Sequence, residues 1–472
     1  MANTNLANAK SAKNDEFYTQ YPDIQKEINA YLDFDPNVFR GKTVLMPCDD
    51  PEWSNFTKFF AQNFELLGLK KLVSTSYASG SKKYKMPYQP TILETSQPHF
   101  DADKSKTHGK IFVLERDVTG DNRINIEDLQ WQYLDGDGDF RSREIRQLRD
   151  EADIIVTNPP FSLFREFVAW IMEAGKRFVI IGSMNAVTYK EIFPLIKENK
   201  IWLGATGFVT DMVFGVPEGT IVKDSDKAKA ERLGYVGNYT RLGNSCWYTN
   251  IDHGRRHQPL RLMTMAENFK HSKHKEIRGV GYRRYDNYDA LEVPFTDAIP
   301  SDYVECLGVP VSFLDKYSPD QFEIVGATES EGKGFSNGLW HPESGVAQAL
   351  VEGLRVYKRI FIRIATGGGN LLNIRELKNF VMNTFGYTDE EITVESGIMG
   401  VPISFLDKYC PEQFEIIGMA KRGAGDPRLK SKVYTKDDYA NYSDLNATPT
   451  LWGEDGKLYN TYPRILIRKK QS

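Results

Sequence analysis

The fold of this chain is decided by one segment, Asp153-Ile154-Ile155-Val156-Thr157-Asn158-Pro159-Pro160-Phe161. Its run of mostly β-branched residues is typical of a strand buried in a mainly parallel sheet. The two prolines end that strand, because proline has a fixed φ and no backbone N–H to donate. The chain must therefore leave the sheet at its carboxyl edge, where open α/β sheets place their ligands.

The residues that follow the strand suit the binding of a planar amine. Asn158 offers a side-chain carbonyl acceptor and an amide donor, Pro159 offers a backbone carbonyl, and Phe161 offers a flat ring. Together these groups can hold an exocyclic amine and stack on the ring that carries it. The same tetrapeptide also fits an ordinary turn stiffened by Pro160, so its surroundings must decide between the two interpretations.

Strand and helix patterns alternate around this segment and predict a doubly wound, Rossmann-like α/β domain over residues 15–204. Residues 1–14 are rich in Ala, Asn and Lys and are predicted to be disordered. Ser54 and Ser162 are each predicted to cap a helix. The other predicted strands are 43–46, 71–75, 110–114 and 177–182, and the predicted helices lie near 24–32, 56–67 and 164–172.

The second half of the chain contains an internal repeat. Gly308-Val309-Pro310-Val311-Ser312-Phe313-Leu314-Asp315-Lys316-Tyr317 recurs as Gly400-Val401-Pro402-Ile403-Ser404-Phe405-Leu406-Asp407-Lys408-Tyr409. Residues 321–326 likewise return at 413–418, and residues 359–363 at 464–468. We interpret this as two copies of one α+β module, 308–365 and 400–472, separated by an insert over 366–399.

Composition excludes several protein classes. The four cysteines, Cys48, Cys246, Cys306 and Cys410, include no CxxC pair, which argues against a zinc site or a disulfide framework and fits a reducing compartment. The N-terminus has no secretory pattern and no apolar run approaches membrane-spanning length, so we expect a soluble intracellular protein. The formal net charge of −4 does not by itself indicate a nucleic-acid partner.

Four motifs follow one another along the first part of the chain. They are Asp15-Glu16-Phe17-Tyr18-Thr19-Gln20, Cys48-Asp49-Asp50-Pro51, Gly138-Asp139-Phe140-Arg141-Ser142 and Thr157-Asn158-Pro159-Pro160-Phe161-Ser162-Leu163-Phe164-Arg165. Two further segments are Leu242-Gly243-Asn244-Ser245-Cys246-Trp247-Tyr248-Thr249-Asn250 and Tyr285-Asp286-Asn287-Tyr288-Asp289. These motifs and their order resemble the EcoRI-type adenine-specific DNA methyltransferases, which use S-adenosylmethionine.

The resemblance implies that some of these motifs bind the cofactor and that another carries out catalysis. Asp139 would accept a hydrogen bond from the cofactor's adenine amine and Phe140 would pack on that ring, with no metal required. Two features depart from the family pattern, since no Phe-x-Gly-x-Gly loop is present and no acid ends the strand at 71–75. The implied catalytic residues are Asn158, Pro159, Pro160 and Phe161, and the implied cofactor-binding residues are Thr19, Pro47, Cys48, Asp49, Asp50, Asp139 and Phe140.

The resemblance also implies the setting of the reaction. The substrate would be adenine N6 in a short motif of double-stranded DNA, flipped out of the duplex and stacked on Phe161. Residues 205–307 would form the target-recognition region. The enzyme would be a monomer, bacterial or phage-encoded, cytoplasmic and nucleoid-associated, with a cognate restriction endonuclease as a partner acting on the same site.

Residues 254–284 are the best candidate for DNA contact, because they carry many cations and few acids. A charge run can also be a solvated surface, and the segment 285–289 can be either a recognition element or a packed aromatic turn. The predicted DNA-binding residues are Arg255, Arg256, Arg261, Lys273, Lys275, Arg283 and Arg284.

Parts of this sequence also suggest other functions. The acidic run 135–139 is not an EF-hand, because Phe140 and Arg146 stand where that loop needs Gly and Glu. An enzyme that methylates an RNA base or a protein glutamine would use the same acceptors. A DNA-binding protein with a decayed cofactor site would explain the unusual Cys48-Asp49-Asp50 loop.

Overall fold

The computed structural model describes residues 17–49, 54–78, 95, 98, 100–207, 212–216, 221–241, 245–329, 334–365, 393–395, 398–402, 414–419, 450–452, 458–460 and 464–469. The chain divides into two compact units. The first comprises Met1–Gln258 together with Val311–Lys316, and the second comprises Pro259–Pro310 together with Tyr317–Ser472. Within the described ranges, no helix has both the length and the apolar character needed to span a membrane.

The first unit is built on an eight-stranded mixed sheet and a small three-stranded sheet. The strands predicted at 43–46, 71–75, 110–114 and 177–182 are confirmed, as is the strand of the Asn-Pro-Pro segment. In chain order the strands are β1 (Tyr18–Thr19), β2 (Thr43–Met46), β3 (Lys71–Ser76), β4 (Lys110–Leu114), β5 (Gln130–Tyr133), β6 (Ile154–Thr157), β7 (Arg177–Ser183), β8 (Trp202–Leu203), β9 (Val213–Gly215), β10 (Tyr239–Arg241) and β11 (Ser245–Thr249).

The large sheet has the order β5-β4-β3-β2-β6-β7-β11-β8. Its centre, β3-β2-β6-β7, is parallel, whereas β4, β5, β11 and β8 are joined through antiparallel pairs. The expectation of a mainly parallel sheet therefore holds only for the centre. Strand β11 lies beyond residue 204, so the first unit extends past the predicted domain end.

Three of the helices of this unit, over 21–34, 55–62 and 164–173, bury apolar side chains. Ser54 caps the second helix as predicted, because its Oγ accepts a hydrogen bond from Phe56 N at 3.1 Å. The prediction for Ser162 is wrong: a 3₁₀ turn over Phe161–Leu163 follows the prolines and moves the helix start to Phe164. The helices are α1 (Tyr21–Phe34), α2 (Asn55–Gln62), α3 (Phe64–Leu67), α4 (Lys104–Thr107), α5 (Arg143–Glu151), α6 (Phe164–Glu173), α7 (Phe193–Lys197) and α8 (Asp224–Arg232).

Packing explains why β6 is central. Ile154 and Val156 of β6 are fully buried and join α1 and α2 in one apolar core. On β7, a Cβ at Gly182 would overlap the ring of Phe164. Glycine at that position therefore lets the first residue of α6 approach the sheet closely, which sets the path of the chain after the Asn-Pro-Pro turn.

The second unit contains helix α9 (Met265–His271) and several smaller sheets. One sheet has the order β12-β13-β14-β18-β15 and another has the order β19-β20-β24-β21. Its strands are β12 (Arg283–Arg284), β13 (Leu291–Glu292), β14 (Leu307–Pro310), β15 (Phe322–Ala327), β16 (Leu350–Val351), β17 (Leu354–Arg355), β18 (Arg359–Ile364), β19 (Thr393–Glu395), β20 (Ile398–Pro402), β21 (Phe414–Met419), β22 (Thr450–Trp452), β23 (Leu458–Asn460) and β24 (Arg464–Lys469).

Two three-stranded arrangements in this unit have the same pairing. Gly308 of β14 pairs with Phe361 of β18, and Gly400 of β20 pairs with Leu466 of β24. The register of β15 on β18 shifts between Ile324 and Gly326, and that of β21 on β24 shifts between Ile416 and Gly418. The outer strands differ, since β13 runs parallel to β14 whereas β19 runs antiparallel to β20.

Candidate active site

The carboxyl ends of the central strands are held together by Asp49, which follows β2. Its carboxylate accepts hydrogen bonds from Ser54 Oγ at 2.7 Å and from Thr157 Oγ1 at the end of β6. Its backbone carbonyl accepts one from Ser74 Oγ of β3. Asp49 is 5% exposed. One buried residue thus gathers three strand ends and the start of α2 at a single edge of the sheet.

Asn158 is the first residue after β6, and only one of the two polar atoms of its side-chain amide has a hydrogen bond within the described residues. Its Nδ2 donates to the backbone carbonyl of Phe17 at 2.5 Å. Its Oδ1 is buried and has no hydrogen-bond partner among the described residues. A buried acceptor without a donor costs free energy and calls for an explanation. An acceptor in this state is available to a ligand N–H.

Three phenylalanines surround the Asn-Pro-Pro turn. The ring of Phe161 stacks on that of Phe17, with centroids 5.6 Å apart and planes at 29°. Phe214 of β9 meets both rings edge-on, at 5.9 Å from Phe17 and 6.5 Å from Phe161. Pro159 is buried and Pro160 is half-buried beside them. The sequence analysis did not identify Phe214 as a site residue. It lies beside the Asn-Pro-Pro turn because β9 pairs with β1, which no local pattern predicts.

The predicted cofactor residues Thr19, Pro47, Cys48 and Asp49 occupy neighbouring strand ends. Thr19 is 2% exposed and its Oγ1 has no partner among the described residues, while its carbonyl accepts from Asn55 Nδ2 at 2.8 Å. Pro47 is buried. Desolvation, reinforced by the charges of Asp49 and Asp139, raises the pKa of the Cys48 thiol well above its usual range. The thiol is therefore neutral and no nucleophile, and Asp50 lies outside the described residues.

The acidic loop after β5 lies against the end of β3. Ala78 N donates to Asp137 O at 2.8 Å, and Gly138 has a φ of +85° and leaves no room for a Cβ beside Ser76 O. Burial and a hydrogen bond to Asp137 raise the pKa of Tyr77 to about 12. β3 has no acidic residue at its own carboxyl end. The loop after β5 places Asp137 there, and no local sequence pattern predicts this arrangement.

Asp139 and Phe140 are both engaged by protein groups. Arg141 donates to Asp139 from Nε at 2.8 Å and from Nη2 at 2.6 Å, which lowers the pKa of that carboxyl. The ring of Phe140 is 5% exposed and packs edge-on against Phe167 at 5.1 Å and Trp170 at 5.6 Å. Phe140 therefore anchors the loop to α6.

Two of the predicted DNA-binding residues make internal contacts instead. Arg255 donates to Ala205 O at 2.9 Å and forms an ion pair with Asp315 at 2.6 Å. Arg256 lies 3.7 Å over the ring of Trp202, and only 10% of its side chain is exposed. These guanidinium groups make contacts within the first unit, and their proposed role in DNA binding stays a prediction.

The other five predicted residues belong to the second unit and are exposed. Lys273, Arg283 and Arg284 form ion pairs at 2.6, 2.8 and 3.1 Å with acidic side chains. Arg261 and Lys275 have no ion pair within the described residues. The same is true of two further exposed cations, Lys270 and Arg278.

The segment Tyr285–Asp289 is a packed aromatic turn. Tyr285, Asn287 and Tyr288 are 6%, 1% and 1% exposed. The Tyr285 hydroxyl donates to Glu292 and to Gly308 O, and Asn287 makes three hydrogen bonds to backbone groups. Of the two interpretations that the sequence left open, the structure thus favours packing over recognition.

Comparison with known proteins places the chain in a family. The family model for the adenine-specific methyltransferase EcoRI matches residues 5–365 and 388–470. The chain is 39% identical to the Type II methyltransferase M.EcoRI of Escherichia coli over 68% of its own length and 88% of that protein. It is 34% identical to the Type II methyltransferase M.MpnI of Mycoplasma pneumoniae, over 67% of its own length and 83% of that protein. No solved structure matches significantly. The chain belongs to the EcoRI-type family of adenine-specific DNA methyltransferases.

Proposed function

We propose that Asn158 and Pro159 bind the exocyclic amine of a target adenine and activate it for methylation at N6. The observation that carries this proposal is the buried Oδ1 of Asn158, which has no hydrogen-bond partner in the part of the chain that the structure describes. Because Nδ2 is held by Phe17 O, the amide is fixed with its acceptor unused. The two N–H bonds of the amine would then be shared between Asn158 Oδ1 and the Pro159 carbonyl.

These two acceptors supply the catalysis that the amine needs. The lone pair of an adenine amine is delocalised into the ring, which makes the nitrogen a poor nucleophile. Acceptors aimed at both hydrogens favour the pyramidal nitrogen in which the lone pair is available, and their interaction strengthens toward the transition state. No covalent nucleophile is required, in keeping with the neutral thiol of Cys48.

The family implies S-adenosylmethionine as methyl donor, which when bound supplies an electrophilic methyl group. The unpartnered Thr19 Oγ1 and the carboxylates of Asp49 and Asp139 suit a ligand that carries amine and hydroxyl groups. We assign Thr19, Pro47, Cys48, Asp49, Asp50 and Asp139 to its binding. For Phe140, whose ring packs on α6, we propose the supporting role of holding the Asp139 loop in place.

The target base would be flipped out of the duplex, because an adenine N6 stacked in DNA cannot reach this sheet edge. Phe161 would be its stacking platform. The contacts of Phe161 with Phe17 and Phe214 support this role, since they hold the ring in one orientation next to Asn158.

We place phosphate contacts on the second unit, at the exposed cations that form no ion pair with any residue in the described ranges. Phe269 and Val280 lie among these cations and are 46% and 56% exposed. Cations around an exposed apolar tip suit a duplex, whose backbone is anionic and whose grooves are partly apolar. The cations are Arg261, Lys270, Lys275 and Arg278.

The C-terminal half would contain two copies of one module, 308–365 and 400–472, with the insert 366–399 between them and the recognition region 205–307 before them. The matched register and the matched shift in β15 and β21 support this proposal. The different outer strands β13 and β19 suggest that the copies serve different neighbours.

The biological setting follows from the substrate. We propose a monomeric enzyme that acts beside the nucleoid of a bacterial cell, encoded by the cell or by a phage. A restriction endonuclease that cuts the same motif would be its partner if the enzyme belongs to a restriction–modification pair.

The decisive experiment is transfer from labelled S-adenosylmethionine to a mixed duplex DNA library, with methylated positions mapped by sequencing. We expect label on adenine N6 within one short motif. Transfer to RNA or to glutamine instead, in parallel reactions with those substrates, would overturn the DNA assignment. Absence of cofactor binding by calorimetry would favour the DNA-binding protein with a decayed site.

The DNA surface is tested by salt dependence. Lys275→Ala with Arg278→Ala should weaken duplex binding uniformly and reduce the slope of log K against log salt by about 2. Arg283→Ala with Arg284→Ala is the matched control, because both cations are already paired with Glu352 and Glu305. Equal effects of the two double variants would contradict the proposed surface.

A further inference from the structure

The loop Gly204–Gly207, which follows β8, is held from one side by a buried carboxylate of α1. Ala205 N donates to Glu27 Oε1 at 2.7 Å, and Thr206 donates to Glu27 Oε2 from N at 2.9 Å and from Oγ1 at 2.7 Å. Glu27 is fully buried and also accepts from Tyr31 Oη at 2.7 Å. A buried carboxylate with four donors is fully satisfied and holds the loop firmly.

The same loop is held from the other side by an ion pair that includes a residue from the repeat motif. Arg255 donates to Ala205 O at 2.9 Å and to Asp315 Oδ2 at 2.6 Å. The side chain of Asp315 is only 4% exposed. Gly207 has a φ of +65°, and a Cβ there would overlap Asp315 Oδ1. Loop and carboxylate are therefore in close contact.

Asp315 lies in the short segment Val311–Lys316, which belongs to the first unit although its flanking strands belong to the second. The segment is anchored by two buried apolar side chains, since Phe313 and Leu314 are 0% and 6% exposed. The repeat motif of copy 1 thus supplies part of the methyltransferase unit.

Gly207 precedes the first residue of β9, Val213, by six positions in the sequence, and Phe214 of β9 pairs with Thr19 of β1. Phe214 in turn contacts Phe17 and Phe161. We propose that Asp315 is a positioning residue for methyl transfer: through Arg255 and the loop it holds β9, and with it Phe214, against the aromatic platform of the target base. This inference rests on the proposed role of Phe161.

The second copy of the repeat provides a built-in control. Nine of the ten residues at 308–317 are identical at 400–409, and Asp407 corresponds to Asp315. The proposal assigns the positioning role to copy 1 alone, because the partners Arg255 and Gly207 are already occupied by Asp315.

The test compares Asp315→Asn with Asp407→Asn in the full-length chain. Asp315→Asn removes the charge opposite Arg255 at nearly constant shape. We expect kcat for DNA methylation to fall on the order of 10²-fold, the scale at which remote misplacement affects a reaction. The Kd for S-adenosylmethionine should change much less than kcat, because Thr19 is the one proposed cofactor residue on a strand that pairs with β9. Asp407→Asn should match the wild type, and Asp315→Glu should recover part of the lost kcat.

A readout independent of activity separates this inference from the proposed function. Hydrogen exchange of the β9 amides at Val213–Gly215 should accelerate in Asp315→Asn and not in Asp407→Asn. Equal hydrogen exchange and equal kcat in Asp315→Asn and Asp407→Asn would overturn the positioning role. A complete loss of cofactor binding in Asp315→Asn would overturn it as well, because that result indicates general unfolding. If the wild type fails to methylate DNA, the proposed function fails, while the exchange data still decide whether Asp315 holds β9.

Discussion

Two asparagines, Asn158 after β6 and Asn287 in the turn before β13, show how a site differs from a scaffold. Asn287 is saturated: Nδ2 donates to Val346 O at 2.7 Å and to Gln348 O at 3.0 Å, and Oδ1 accepts from Leu350 N at 2.9 Å. Asn158 makes one hydrogen bond and leaves a buried acceptor without a donor among the described residues.

A buried amide with an unused acceptor is a candidate for a binding or catalytic site, whereas a buried amide with all its hydrogen bonds made is a structural residue. The sequence makes the Asn158 segment a candidate for catalysis and the Asn287 segment a candidate for recognition. A saturated buried amide contributes to folding, because removing it leaves several backbone groups unpaired. An unsatisfied one lowers stability and persists where a ligand completes it. Mutation of the two residues should therefore affect different observables.

The largest effect is expected for Asn158→Ala. Methyl transfer should fall by about 10²–10³-fold or more, the range found when a transition-state hydrogen bond is removed. Cofactor affinity should stay nearly unchanged, because Asn158 is assigned to the base. Single-turnover transfer and calorimetry measure the two quantities, and a fully active variant would refute the catalytic assignment.

Asn287→Ala should instead reduce stability. Three backbone groups lose their partner, which we expect to cost on the order of 3 kcal/mol in the free energy of unfolding. Denaturant titration of the full chain measures this cost. At temperatures where the variant stays folded, its kcat should equal that of the wild type; a selective loss of kcat would revive the recognition role of this turn.

The smallest effect is expected for Asp289→Ala, two residues further along the same turn. Its carboxylate pairs with His341 at 3.1 Å, and 71% of the side chain is exposed. An exposed pair of this kind contributes within about 1 kcal/mol. The same titration should show almost no change, and a loss as large as that of Asn287→Ala would mean that the ion pair organises the turn.

Several elements were predictable because their signals are local. The β-branched run before Asn158 and the paired prolines determine a strand and its end, and Ser54 caps its helix by contacting a residue two positions away. The helix predicted at 164–172 begins at Phe164 as expected, but its predicted cap at Ser162 is wrong, because Ser162 lies inside the 3₁₀ turn that follows the prolines.

Local patterns were enough to predict the strand that ends at Asn158 and the order of the motifs and, through their likeness, the family. Three contacts become visible only in the folded chain: the Asn158 Oδ1 that has no donor among the described residues, the position of Phe214 beside Phe161, and the ion pair of Arg255 with the buried Asp315. The reason is physical. Strand formation and capping depend on near neighbours along the chain, whereas hydrogen-bond saturation and ion pairing depend on residues that the fold brings together from distant positions.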